Sequence, residues 1–397
     1  MSTECQMSKN LRPYPAYKPT GLAWLPEVPR EWEIVRFKSL FRFGKGLMIT
    51  KDDLTKDGCS VISYGQIHAK TNCGFHLDKS LLRFIPEKLT SEGSLLHEGD
   101  IAFTDTSEDI EGCGNCVSGN KVCLPPPAEQ EAIVAYLDEK TAKIDRLIKL
   151  KKREIKLLNE KKQAVVSRVV TRGLDPNAEL VDSGVDWIGK VPRGWRIRRL
   201  RYLGGCANGI SKDGAAFGRG NPFVSYGDVY KNCAIPTQVT GLVESSESEQ
   251  ILYSVKRGDV FFTRTSETID ELGTAATCLA TISKATFAGF LIRFRPNDDS
   301  LIPEFSKYCF RSPTLARYFR RTSGIVTRAS LSQNLLKNLP VCIPPSDEQR
   351  EIVAYLDAEG AKTDKAIAAV TRQIGLLKEY RTRLISDAVT GRIDLRG

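Results

Sequence analysis

The chain has 397 residues, a formal net charge of +10 and a pI of about 9.0. That length suggests two or three domains, an apolar fraction of 41% is enough for them to fold, and the basic balance favours a polyanionic partner. No apolar run reaches membrane-spanning length, and the opening Met1-Ser2-Thr3-Glu4-Cys5 lacks the apolar core of an export signal. Eleven cysteines without such a signal predict reduced thiols and a cytoplasmic location.

In chain order, a tail over residues 1–20 leads to Gly21-Leu22-Ala23-Trp24, Val28-Pro29 and Trp32. Ser63-Tyr64-Gly65 follows, then Gly99-Asp100-Ile101-Ala102-Phe103-Thr104 and Thr106-Ser107-Glu108. After Pro125-Pro126-Pro127 the chain runs from Glu129 to about Thr171 without Pro or Gly. Leu137, Ile144, Ile148, Ile155, Leu158, Val165 and Val169 form a seven-residue apolar stripe there, which predicts a helix of ~40 residues, ~60 Å long. Its other faces are basic, with ten Lys or Arg against four acids between Glu139 and Lys162. They read as a solvated surface, a spacer beside a DNA backbone, or a rail for partner subunits.

Everything then recurs. Trp187, Val191-Pro192 and Trp195 repeat the Trp motif, and Ser225-Tyr226-Gly227 repeats Tyr-Gly. Gly258-Asp259-Val260-Phe261-Phe262-Thr263 repeats the Gly-Asp strand, with Thr265-Ser266-Glu267 after it. Pro344-Pro345 precedes Glu348-Gln349, and Leu356, Ile367, Val370, Ile374, Leu377, Leu384 and Ala388 continue a second helical stripe. A narrow stripe wants one partner helix, so the two helices are predicted to pack antiparallel. The offset between copies is 163 residues from Trp32 to Trp195, 159 from Asp100 to Asp259, and 219 from Asp138 to Asp357. About 60 residues of the second module, including the stretch from Phe290 to Asn338, therefore lack a counterpart in the first.

Between Trp motif and Pro stop, short β-branched and aromatic runs predict strands of a mixed, β-rich domain, with Ile101, Phe103, Val260 and Phe262 facing inward. Tyr64-Gly65 and Tyr226-Gly227 are read at strand ends, either as tight turns or as ligand-contacting loops. Arg264 stands where the first module has Asp105, a charge reversal suited to reading different sequences. A helical stretch from Pro303 to Arg320 carries Arg311, Arg317 and Arg320, followed by Arg321 and Arg328. Tyr308, Tyr318 and Phe319 between them fit either a nucleic-acid surface or the core. The DNA-binding candidates are Tyr226, Gly227, Arg264, Thr265, Arg317, Arg321, Arg328, Tyr64 and Gly65. The helix-packing candidates are Leu137, Ile144, Ile148, Ile155, Leu158, Ile367, Val370, Ile374, Leu377 and Leu384.

Catalytic chemistry is not visible. There is no phosphate-binding GxxxxGK[ST] loop and no GxGxxG after a strand, so neither an ATP motor nor an adenosylmethionine pocket is supported. Asn221-Pro222-Phe223 lacks the second Pro of the adenine-methyltransferase motif. Cys113 and Cys116 have CxxC spacing, near Cys59, Cys73 and Cys123, but form a single pair where zinc usually takes two. His68, His76 and His97 have no ligand partner at helical spacing. No metal or catalytic site is expected.

The duplicated motifs carry a family. The segment from Trp187 to Trp195, the Gly258–Phe262 strand and the Pro344–Gln349 helix start resemble the marks of the DNA-specificity subunit of Type I restriction–modification enzymes, over about residues 13 to 391. The resemblance implies an α+β protein: two mixed β-rich target-recognition domains separated by two long antiparallel helices in a pseudo-twofold arrangement. It implies a first recognition domain over 21–127, a spacer helix over 128–172, a second recognition domain over 173–344, a second spacer helix over 345–391 and a tail over 392–397. It also implies a non-catalytic subunit that reads a bipartite site in double-stranded DNA. Two methyltransferase subunits and restriction/translocase subunits would dock on it and bring adenosylmethionine, ATP and Mg. The shortened first domain departs from the family. It raises the alternative of a degraded or allelic-reservoir subunit with one working domain. A stand-alone DNA methyltransferase or nuclease would need a pocket or clustered acids that are not seen.

Overall fold

Two helices organise the chain, Pro127–Arg172 with 46 residues and Ser346–Val389 with 44. Each starts behind a proline stop and ends at a glycine in the left-handed region, Gly173 (φ 71°) and Gly391 (φ 70°), the conformation that closes a helix C-terminus. The computed structural model describes residues 12–63, 67, 79–90, 95–97, 100–102, 121–266, 272–322 and 329–396. It divides into two units, Met1–Asp145 with Lys378–Gly397, and Arg146–Leu377. Among the described residues no helix is long and apolar enough to cross a membrane.

In the first unit the Trp motif ties the start of one helix to the end of the other. The Trp32 indole N–H donates to Glu129 Oε1 at 2.9 Å, and the Tyr14 hydroxyl donates to the same oxygen. Burial, then Glu129, pushes the Tyr14 pKa up. Glu129 is buried, and its Oε2 has no partner among the described residues. Gly391 lies so close that a Cβ there would stand 3.3 Å from the Trp32 ring and 2.3 Å from Pro29. Farther along, Arg381 pairs with Asp145 at 3.2 Å, so the two helices run antiparallel here. The segment before the Trp motif meets the chain's last residues: Tyr17 donates to the Gly391 carbonyl at 3.1 Å, and the Asp394 N–H to the Arg12 carbonyl at 2.8 Å. Three two-stranded antiparallel ladders complete the unit: Tyr17–Leu22 with Leu25–Pro29, Glu33–Arg36 with Lys121–Leu124, and Cys59–Val61 with Arg83–Ile85.

The second unit repeats the junction. Trp195 Nε1 donates to Glu348 Oε2 at 2.9 Å, Gly173 packs on the same indole, and Lys162 pairs with Asp364 at 2.7 Å, again antiparallel. Arg196–Arg199 pairs with Pro340–Ile343 as Glu33–Arg36 pairs with Lys121–Leu124. Here, however, a full domain is attached. Its four-stranded antiparallel sheet runs Gly204–Asn208, Leu291–Pro296, Val260–Thr263, Ala275–Thr277 in spatial order, beside a three-stranded sheet of Leu242–Val243, Phe217–Val224 and Thr286–Phe287. Phe262, Phe294, Phe305 and Phe319 fill the core between the sheet and the helices. Gln349, fully buried, accepts the Ile302 N–H at 3.0 Å and donates to the Ser300 and Pro344 carbonyls, which docks the domain on the second long helix.

Several expectations need correction. The stretch from Pro303 is two helices, Pro303–Cys309 and Pro313–Thr322, because the residue before Pro313 is disfavoured in helical conformation. Ile101 does not face inward: it is 55% exposed, and residues 100–102 form no strand; Phe103 lies outside the described residues. In the second module the matching Val260 and Phe262 are buried in a strand that pairs with Leu291–Pro296; among the described residues of the first no such partner strand is seen. Of the stripe residues, Leu137, Ile144, Ile148, Val370, Ile374 and Leu384 are buried, while Ile155, Leu158, Ile367 and Leu377 are half-buried.

Replacing Trp32 with Phe removes one of the two donors to a buried carboxylate and should cost about 2 kcal/mol. Trp195→Phe should cost less, because Glu348 is half-buried and water can replace the donor. Urea unfolding followed by circular dichroism reads both; equal midpoints for the two variants would contradict this account.

Candidate nucleic-acid interface

The Gly-Asp motif anchors the candidate surface. Asp259, fully buried, accepts the Lys256 N–H at 2.7 Å and grips Arg295 through both oxygens, at 2.6 Å each. This charge-assisted fork holds Val260–Thr263 against Leu291–Pro296. In the first module the His97 N–H makes the same turn bond to Asp100 at 2.7 Å, but that carboxylate is exposed.

Beyond Thr263 the backbone of Arg264 is clamped on both sides. Its N–H donates to the Phe290 carbonyl at 2.9 Å, and its carbonyl accepts the Leu331 N–H at 2.7 Å. Thr265–Ser266 then pairs with Ala329–Ser330, and the Tyr226 hydroxyl donates to the Thr265 carbonyl at 3.1 Å. Tyr226, Arg264 and Thr265 are thus brought together. Among the described residues the Arg264 guanidinium makes no hydrogen bond or ion pair, and Phe290 is exposed next to its backbone.

Tyr226-Gly227 does follow a strand end, that of Phe217–Val224, but opens a helix and not a turn. Ser225 and Asp228 form a reciprocal capping box, so a helix, Tyr226–Lys231, begins at Tyr226. Gly227 has no positive φ, and a Cβ there would meet nothing nearer than Ser225 Oγ at 3.7 Å; the position does not require glycine. The helix also sets Tyr230 one turn from Tyr226, with the rings stacked at 6.0 Å. Sequence reasoning missed Tyr230, though its spacing of four from Tyr226 was a signal.

The arginines separate into distinct roles. Arg311 is structural: its guanidinium donates to the carbonyls of Val229, Asn232 and Ala275 at 3.0 Å and of Tyr230 at 2.7 Å, collecting the end of the short helix. Arg293 donates to the Ser254 carbonyl at 2.8 Å, and burial, then neighbouring Arg295, lowers its pKa. Arg317 is exposed on Pro313–Thr322, the helix that also bears Arg321. No hydrogen bond or ion pair among the described residues joins Arg317 to the Tyr226 group. Phe319 is core, and Tyr318 is half-buried with its hydroxyl on the Leu335 carbonyl. Arg328, Tyr64 and Gly65 lie outside the described residues, as do His68, His76, Cys73, Cys113 and Cys116. Free donors at the end of a rigid strand, beside stacked aromatics, can contact phosphates and base edges; nothing in the group can cut or transfer a bond.

Residues 192–374 match the family described as the Type I restriction modification DNA specificity domain. The chain is 26% identical over 343 residues to the Type I restriction enzyme EcoKI specificity subunit of Escherichia coli K12, which covers 80% of this chain and 70% of that one. Residues 192–374 thus carry the likeness to the Type I specificity domain, and the likeness to the EcoKI subunit extends it over most of the chain. The Type I restriction enzyme MjaIX specificity subunit of Methanocaldococcus jannaschii is 25% identical over 174 residues, 43% of this chain and 38% of that one. A chain from a solved structure of the type I R-M system shares the fold, with a TM-score of 0.52 at 21% identity over 71% of this chain and 66% of that one. The match thus spans just under two thirds of that chain and under half of the M. jannaschii subunit. The family domain is one of DNA recognition rather than catalysis.

If Arg311 is structural, Arg311→Ala leaves four carbonyls without a donor and should cost about 3 kcal/mol. The thermal midpoint should fall, while the salt dependence of DNA binding, measured below that midpoint, stays as in the parent chain.

Proposed function

We propose that this chain is the DNA-reading subunit of a Type I restriction–modification complex, directed at a bipartite site in double-stranded DNA. The observation that carries the reading is the duplicated Trp–Glu–Gly junction, which occurs once in each unit and mounts a recognition module on a pair of antiparallel helices. A repeated module suits a target with two parts, and the helices serve as the spacer between them. Two methyltransferase subunits and the restriction/translocase subunits would dock on this scaffold, in the cytoplasm. Adenosylmethionine, ATP and Mg would enter with those partners. Docking on the helices is supported by Leu147, Leu150 and Leu157, which stay about half exposed on the first long helix among its lysines and arginines.

Specific observations also favour a subunit with one working domain. Phe43 and Ile101 of the first module are 62% and 55% exposed, where the equivalent strands of the second are joined by Leu291–Pro296 into one sheet. Recognition would then come mainly from residues 184–344, with Arg264 as a base-reading side chain. A binding selection on randomised duplexes, using the chain assembled with its methyltransferase subunits, should return one informative half-site. Arg264→Ala should relax one position of it by about 1–3 kcal/mol. Two equally informative halves would count against the single-domain reading and leave the bipartite one standing; no enriched motif would count against both.

A further inference from the structure

The Trp195 junction leads directly into Arg196-Ile197-Arg198-Arg199-Leu200-Arg201-Tyr202, a run whose four arginines the recognition surface above does not use. All four are exposed, and so is Tyr202 at 65%. Leu200 is fully buried and Ile197 half-buried, so the apolar residues hold the run on the core while its cations face out. Ile197, Arg198, Arg199 and Tyr202 line an open recess of about 570 Å³.

Several arginines elsewhere in the module are already engaged. Arg193 pairs with Glu179, Arg219 with Glu244, Arg257 with Glu304 and Arg295 with Asp259, and Arg311 is spent on carbonyls. Among the described residues the guanidinium groups of Arg196, Arg198 and Arg199 make no hydrogen bond or ion pair, while Arg201 donates to the side chain of Asn338. One acid stands near: the Asp298 carboxyl is held below the usual range by Ser300 first, then by Arg196 and Arg198. On the other flank Arg199 and Arg201 are close enough to the Tyr318 hydroxyl to oppose the rise that burial gives its pKa. The excess is positive. At the equivalent positions the first module has Glu33, Val35, Arg36 and Lys38, so the cluster of four belongs to the second module alone.

We propose that Arg198 and Arg199, with Arg196, Arg201 and Tyr202 around them, form a phosphodiester-binding recess that grips the backbone of duplex DNA apart from the Tyr226–Arg264 surface. The inference rests on the DNA-reading function proposed above. Guanidinium forks suit phosphate oxygens, and a tyrosine hydroxyl adds a donor. Such contacts set affinity and register on the duplex and carry no sequence information.

The test is fluorescence anisotropy of the full-length chain on a duplex across a salt series, with Arg198→Ala/Arg199→Ala, Arg198→Lys/Arg199→Lys and Arg264→Ala side by side. Because the altered residues are exposed, unchanged melting curves should accompany the first two. The double alanine variant should lower the log–log salt slope by about 1.8, two phosphates at about 0.9 each, and weaken binding to specific and random duplexes alike. The lysine pair should keep the slope. Arg264→Ala should instead narrow the gap between specific and random duplex. An unchanged slope and affinity in the double alanine variant, with the parent binding normally, would overturn the recess alone. So would unchanged DNA binding with loss of methyltransferase subunits from a pull-down, which would make the patch a protein interface. A parent chain that binds no duplex at all would overturn the DNA-reading function and the recess with it.

Discussion

An indole N–H aimed at a glutamate in the first turn of a long helix is the contact on which the rest of this structure hangs. Trp32 and Trp195 each make it at 2.9 Å, and in each case a left-handed glycine from the end of the opposite helix packs on the same ring. Three features of the sequence meet there. The Trp motif supplies the donor, the Glu-Gln helix start the acceptor, and the helix-ending glycine the room for close approach. A side chain at Gly391 would collide with Pro29, and one at Gly173 with Glu348. The junction thereby sets the direction of both helices against one another within each unit, and the strand after each Trp leaves it in the same way.

What is hung on that junction differs. The second module has a strand, Leu291–Pro296, lying between Gly204–Asn208 and Val260–Thr263, and a helical segment that seats on Gln349. These pieces give the shared motifs their full set of partners. Asp259 holds Arg295, whereas the corresponding Asp100 accepts the His97 N–H and has the His97 ring at 3.6 Å; Gln349 holds Ser300 and Ile302, whereas Gln130 bonds the Pro125 carbonyl. Gly273, at φ 71°, lies against Phe319 so closely that a Cβ would stand 2.5 Å from the ring, which locks the helix Pro313–Thr322 to the strand region. Among the described residues of the first module, apolar positions such as Phe43 and Ile101 stay at the surface.

The arginines show how one residue type divides between architecture and recognition. A guanidinium can satisfy several carbonyls at once, which is why Arg311 can close a short helix and Arg295 can fork onto a buried aspartate. Those charges are consumed inside the module. Arg264, Arg317 and the run after Trp195 keep capacity for a polyanion. Net positive charge alone could not distinguish the two groups.

The sequence by itself determined the repeat, the two long helices, the family resemblance and the unequal length of the modules. Each of these is carried by local periodicity or by matched motifs along the chain, and a heptad stripe of forty residues needs no distant partner to be read. Only the tertiary structure decided that Gly227 stands in a helix, that Arg311 is internal, that Tyr230 stacks on Tyr226, and that Ile101 is exposed. In each case the outcome depends on groups far away in sequence or on a local competition that composition does not rank. Arg311 finds carbonyls about 80 residues upstream, and the Ser225–Asp228 capping box wins the chain for a helix where the strand end pointed to a turn or loop. Side-chain hydrogen bonds between remote segments exist only once the backbone has brought them together, and for that reason the candidate surface was less legible than the scaffold that holds it.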